Sequence, residues 1–204
     1  MSDIEFDPTD PANQAAMAAV RAMLNHIGDD PEREGLLDTP MRVVKSWREH
    51  FAGYQSDPRL HLERTFEDVS GYDELVLITD IEVHSHCEHH MVPFVGKCHV
   101  AYIPDGKVVG LSKIARVVDA FAKRLQVQEK LTAQIADCIQ EVLKPQGVAV
   151  IMQCQHFCMC YRGVRKPSSW TTTSKLHGAF MDDPASRSEL LQLISLDRGL
   201  NPAG

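Results

Sequence analysis

An α+β fold behind a helical N-terminal appendage is what the order of periodicities along this chain predicts. Three observations carry it. Two strand-like apolar runs precede a pair of amphipathic helical stripes, two further strand-like segments follow that pair, and helical patterns stand at both ends of the chain. With 204 residues and 44% hydrophobic composition, there is apolar material for one real core and an appendage.

From Pro11 onward Ala15, Ala19, Met23 and Ile27 recur at helical spacing, and Gly28 supplies a stop. Thr39-Pro40 signposts a second helix, a capping hydroxyl followed by proline at the first helical position, running to about Gly53. Residues 1–55 are assigned to the helical appendage and residues 56–204 to the main domain. Leu75, Leu77, Thr79, Ile81 and Val83 fall on one side of an extended segment whose other side carries Val76 and Ile78, the pattern of a well-buried strand. His99 to Ile103 is expected as the next strand, closed by the turn Pro104-Asp105-Gly106. The helical stripes are Leu111, Ile114, Val118, Phe121 and Leu125, then Leu131, Ile135, Ile139 and Val142, ended by Pro145-Gln146-Gly147. Val148 to Gln155 alternates as a strand. Cys158 to Arg165 is expected as another, after a hairpin near His156-Phe157, and a last helix from Pro184 to Leu196 precedes a fraying tail.

A net charge of -7 with no basic stripe excludes a general nucleic-acid or acidic-membrane binder, so an anionic substrate requires a local basic cluster. Met1 to Asn13 carries no basic segment ahead of an apolar run, and no apolar stretch reaches the roughly 20 residues that span a bilayer. A cytoplasmic location is expected. Thiols stay reduced there, so the six cysteines are read as metal ligands or buried side chains rather than a disulfide framework.

The densest chemical signal is His84-Ser85-His86-Cys87-Glu88-His89-His90, directly after a buried strand. Cys87 and His90 have the C-x-x-H spacing that lets one turn aim a thiolate and an imidazole at a common point. His89 is displaced from that point toward a substrate, and histidine, which titrates near neutral pH, suits general acid–base work. Two ligands make a weak site, and Cys154-Gln155-His156-Phe157-Cys158-Met159-Cys160-Tyr161-Arg162 offers a partner. On an extended backbone His156, Cys158, Cys160 and Arg162 share a face, presenting a third ligand, a proton-transfer imidazole and a guanidinium. Three ligands with an open position make a hydrolytic zinc site, whereas a fourth from Cys154 or Cys160 makes a closed structural one, and spacing leaves both readings standing.

Ser112, Lys113 and Arg116 open a helix with a hydroxyl and two cations near its positive end, a cradle for polyphosphate. Arg42 and Lys45 repeat the i, i+3 basic spacing, and Gln128-Glu129 can pair with the donor edge of a purine. Each of these alone reads first as solvated surface.

Taken together, Glu34-Gly35-Leu36, Thr39-Pro40-Met41-Arg42-Val43, Cys87-Glu88-His89-His90, Gly110-Leu111-Ser112-Lys113, Val127-Gln128-Glu129-Lys130-Leu131-Thr132 and His156-Phe157-Cys158 with Arg162-Gly163 resemble the GTP cyclohydrolase I family over most of residues 11–181. The resemblance implies a tunnelling fold, in which ββααββ units join their sheets into a barrel, commonly in a homodecamer of two pentamers with active sites shared between subunits. It implies zinc held by Cys87, His90 and Cys158, with His89 and His156 moving protons. It places Ser112, Lys113, Arg116 and Arg162 on the triphosphate, with Arg42 and Lys45 from a neighbouring subunit, and Gln128 and Glu129 on the guanine. The implied reaction is zinc-activated attack of water on C8 of GTP, protonation of N7 by His156, loss of formate and rearrangement to dihydroneopterin triphosphate, an entry to tetrahydrofolate and pterin biosynthesis. Cys160 departs from the family pattern as an additional thiol, and the resemblance assigns nothing to His84 or His86.

Overall fold

The first helix, α1 (Pro11–His26), starts where the Asp10 carboxylate accepts from the Ala12 amide at 2.7 Å. The computed structural model describes residues 6–66 and 71–200, apart from the side chains of 197–200. The reading of the extreme N-terminus lies partly outside these residues. By contact the chain divides into two units, Met1–Ala52 and Gly53–Gly204.

In the first unit α1 packs on α2 (Thr39–His50), with Val20 and Val44 buried. The expected capping hydroxyl is corrected here: Asp38, not Thr39, occupies the cap position, and its carboxylate turns to Arg42 at 3.1 Å instead of to the backbone.

The second unit runs β1 (Thr65–Phe66), β2 (Val76–Cys87), β3 (Pro93–Ile103), β4 (Val108–Val109), α3 (Leu111–Ala122), β5 (Leu125–Gln126), α4 (Gln128–Leu143), β6 (Gly147–His156), α5 (Phe157–Cys160), β7 (Thr171–Gly178), α6 (Ala179–Asp182) and α7 (Pro184–Leu200). Its long elements follow the order ββααββ. The main sheet is ordered β5-β2-β3-β6-β7, antiparallel except for the short parallel pair β5–β2, while β1 and β4 form a separate ribbon. α3 and α4 bury Ile114, Val118, Leu131, Ile135 and Ile139 against one face of the sheet. Phe180, Leu190 and Ile194 of α6 and α7 cover part of the other. Helix α7 continues past the expected end at Leu196, and residues 201–204 of the tail expected to fray lie outside the described residues. Among the described residues no helix is long and apolar enough to cross a membrane.

The first predicted strand is present, but its single apolar face is not. Between Ile78↔Val100 and Ile81↔Cys98 the register shifts by a bulge. Asp80 takes a left-handed φ of 53°, and its amide donates to His99 Nδ1 at 3.2 Å. One inserted residue exchanges the two faces of a strand. Leu75 and Leu77 therefore pack toward α6 and α7, whereas Ile81 and Val83 pack toward α3 and α4. Beyond the bulge Val83, Ser85 and Cys87 are all buried.

The strand expected over Cys158–Arg165 is also corrected. Phe157–Cys160 is one helical turn, and the fourth long strand is β7, paired to β6 from Gly147↔Gly178 to Cys154↔Thr171.

Candidate metal centre and nucleotide site

The histidine-rich run is the end of a strand followed by a tight turn. Cys87 closes β2, its amide donates to Val92 O at 2.9 Å, and the Met91 amide returns to Cys87 O at 2.8 Å with Met91 in the left-handed region. This turn brings His89 Nδ1 and His90 Nδ1 each to 3.8 Å from Cys87 Sγ. The register His86↔Pro93 and Phe94↔His156 sets the ends of β2 and β6 on either side of the start of β3. The turn α5 then carries Cys158 from the end of β6 to the same place.

Candidate ligand atoms of Cys87, His90 and Cys158 all lie within 4.8 Å of one another. His89, equally close to Cys87, is not in that group, and neither is Cys160 nor Cys154 among the described residues. Cys160 is buried with its sulfur 4.0 Å from Lys166 O, and Cys154 is fully enclosed, its thiol pushed up to about 12 by burial. The helical turn explains the separation, because residues that would share one face of a strand point apart on a helix.

The donor set suits a metal. Burial, and then the adjacent Cys87 thiol, pushes Cys158 above the ordinary thiol range, and a cation bound between the two sulfurs would favour the thiolate form that ligates. Two soft sulfurs and an imidazole are a zinc-type set, and bonds of about 2.0–2.3 Å gather such atoms with small side-chain movements. Arg162 brings its guanidinium to the same cluster, with Nη1 3.0 Å from His90 Nε2.

His156, the last residue of β6, is held on two sides. Its ring stacks on the fully buried Phe94, centroids 4.6 Å apart and planes at 12°, and its Nε2 lies 2.8 Å from Gln128 Oε1. Burial pushes its pKa below the ordinary histidine value, and the Glu129 carboxylate works in the opposite direction. Gln128 and Glu129 open α4 and part there: Glu129 is exposed, whereas the Gln128 side chain is 1% exposed. Gln128 Nε2 lies 3.2 Å from Met152 O, 3.0 Å from Thr171 O and 3.0 Å from Thr173 Oγ1.

At the start of α3, Ser112 and Arg116 are exposed and Lys113 is half-buried. His61 stands near them, its pKa pushed down by burial and then by the charges of Arg116 and Lys113. Arg42 and Lys45 lie on the exposed side of α2, in the first unit, with Arg42 paired to Asp38. His84 is exposed, with its Nε2 3.5 Å from Glu82 Oε2. Sequence reasoning missed His61 and the Phe94 platform. Neither carries a local signal, since each meets the site only through the packing of distant segments.

The profile of the family described as GTP cyclohydrolase I matches residues 16–195. A protein of Brucella anthropi named GTP cyclohydrolase 1 is 61% identical over 168 residues, 82% of this chain and 79% of that relative. One of Brucella suis with the same name is 55% identical over 184 residues, 90% of this chain and 86% of that relative. A solved structure of the archaeosine synthase QueF-Like in the apo form aligns with a TM-score of 0.43 at 18% identity, covering 51% of this chain and 93% of that chain.

Proposed function

The chain belongs to the GTP cyclohydrolase I family, and from that premise we propose how its residues divide the work of hydrolysing GTP. The observation that carries the reading is the convergence of Cys87, His90 and Cys158, within 4.8 Å of one another, at the strand end that also presents His156. In this reading the three side chains hold one zinc ion. Zinc bound by three protein ligands supplies Lewis acidity that brings the pKa of water to about 7.

The chain's own groups do the rest. As C8 of the guanine is attacked, electron density moves onto N7, and His156 supplies the proton that N7 must gain. His89, beside the ligands and exposed, exchanges protons in the later steps of ribose rearrangement. Glu129 accepts hydrogen bonds from the N–H edge of the guanine. Ser112, Lys113, Arg116 and Arg162 meet the triphosphate, the local basic cluster that a chain of net charge -7 requires. Arg42 and Lys45 add to it from a neighbouring subunit, in a decamer of two pentamers whose ββααββ sheets join into the barrel of a tunnelling fold. The same reading places the enzyme in the cytoplasm, at the entry to tetrahydrofolate and pterin synthesis.

Incubation with GTP, followed by oxidation, tests the function. Fluorescent neopterin triphosphate is expected to accumulate with stoichiometric formate, and a zinc-loaded protein that leaves GTP intact would refute the proposal.

A further inference from the structure

Gln128 sits where a purine contact is expected, yet its carboxamide is spent inside the protein. Two of the three acceptors around Nε2 are backbone carbonyls, Met152 O and Thr171 O, which can only accept. The amide must therefore be oriented with its N–H groups toward them and toward Thr173 Oγ1, and the reverse orientation would set oxygen against oxygen. Oε1 is thereby fixed as the atom facing His156 Nε2 at 2.8 Å. An amide oxygen only accepts, so Nε2 of His156 must carry a hydrogen.

From this geometry we infer that the Gln128 carboxamide positions His156 and is not the group that meets the guanine. It holds the imidazole in the form protonated at Nε2 and leaves Nδ1 as the nitrogen that exchanges the proton with substrate N7. Among the described residues no hydrogen bond reaches Nδ1. The Phe94 stack fixes the plane of the ring, and the Gln128 oxygen fixes its rotation within that plane. The balance is simple. The imidazolium bears hydrogen on both nitrogens, the Nδ1–H bond breaks as the N7–H bond forms, and the neutral ring that remains keeps Nε2–H on Gln128. The same hydrogen bond is thus present before and after transfer, so no reorganisation of the amide accompanies the step. Thr132 supports the arrangement from α4, with its hydroxyl 2.7 Å from Thr173 Oγ1 and 2.8 Å from Gln128 O.

The inference rests on the proposed role of His156, and the test separates the two. In the zinc-loaded enzyme Gln128→Met is expected to lower kcat for ring opening about 10- to 100-fold, the usual loss when the partner that orients a working histidine is removed, with KM for GTP nearly unchanged. In a His156→Ala background the same substitution is expected to cost nothing further, because its effect passes through that ring. Should the methionine chain fail to assemble, Gln128→Asn carries the same cycle, since it keeps a buried amide but withdraws its oxygen from the ring. A rise in KM at unchanged kcat, or losses that add to those of His156→Ala, would overturn the inference. Failure of His156→Ala itself to slow ring opening would instead refute the parent reading.

Discussion

His156 is where chemistry and packing meet in one side chain. Its place two residues before Cys158 sets it beside the ligand cluster, yet its ring is held by Phe94 and Gln128 and does not join the cluster. Removing the ring should leave the three ligands where they are. His156→Ala is therefore expected to keep its zinc and its assembly, still bind GTP, and lose on the order of 10² to 10⁴-fold in ring opening. No ring-opened formyl intermediate should build up, because the lost step precedes it. Apo-protein, or near-normal ring opening, would remove His156 from its role as proton donor. At this scale much of the site was legible in the sequence, because C-x-x-H and H-x-C are local spacings that any turn brings close together. Phe94 and His61 were not, since a stacking partner and a neighbouring imidazole are defined by strand register and helix packing.

At the scale of elements, the helices could be read and the strand ends could not. Stripes such as Leu131, Ile135 and Ile139 repeat at helical spacing because one face of α4 lies on the sheet, and all three are fully buried. Strand β2 misled because alternation assumes a constant register, and the extra residue at Asp80 exchanges the faces halfway along. Strand β7 was missed for a different reason. Part of its inner side is polar: Thr171 and Thr173 meet Gln128 and Thr132 through hydrogen bonds, so hydrophobic alternation is weak there. The turn α5 was misread as extended, and that error decided how Cys160 was placed. On a strand Cys160 accompanies Cys158, whereas on the observed turn it faces Lys166 O, away from the ligand cluster.

For the whole molecule, the proposal divides each active centre between subunits. Arg42 and Lys45 belong to the helical unit Met1–Ala52, while the remaining groups belong to Gly53–Gly204. If the basic pair acts across a subunit boundary, mixing inactive Arg42→Ala chains with inactive His156→Ala chains should restore part of the activity, since some boundaries then combine two intact halves. Verified mixed assemblies that stay inactive would argue against sharing. The central claim is narrower: one zinc per chain, held by Cys87, His90 and Cys158, makes this protein a GTP cyclohydrolase. It is tested most directly by measuring zinc content and formate release together in assembled wild type, Cys158→Ser and Cys160→Ser. The expected result is one zinc per chain and full turnover in the wild type and in Cys160→Ser, with both lost in Cys158→Ser. A Cys160→Ser protein that loses its zinc, or a Cys158→Ser protein that keeps zinc and turnover, would contradict it.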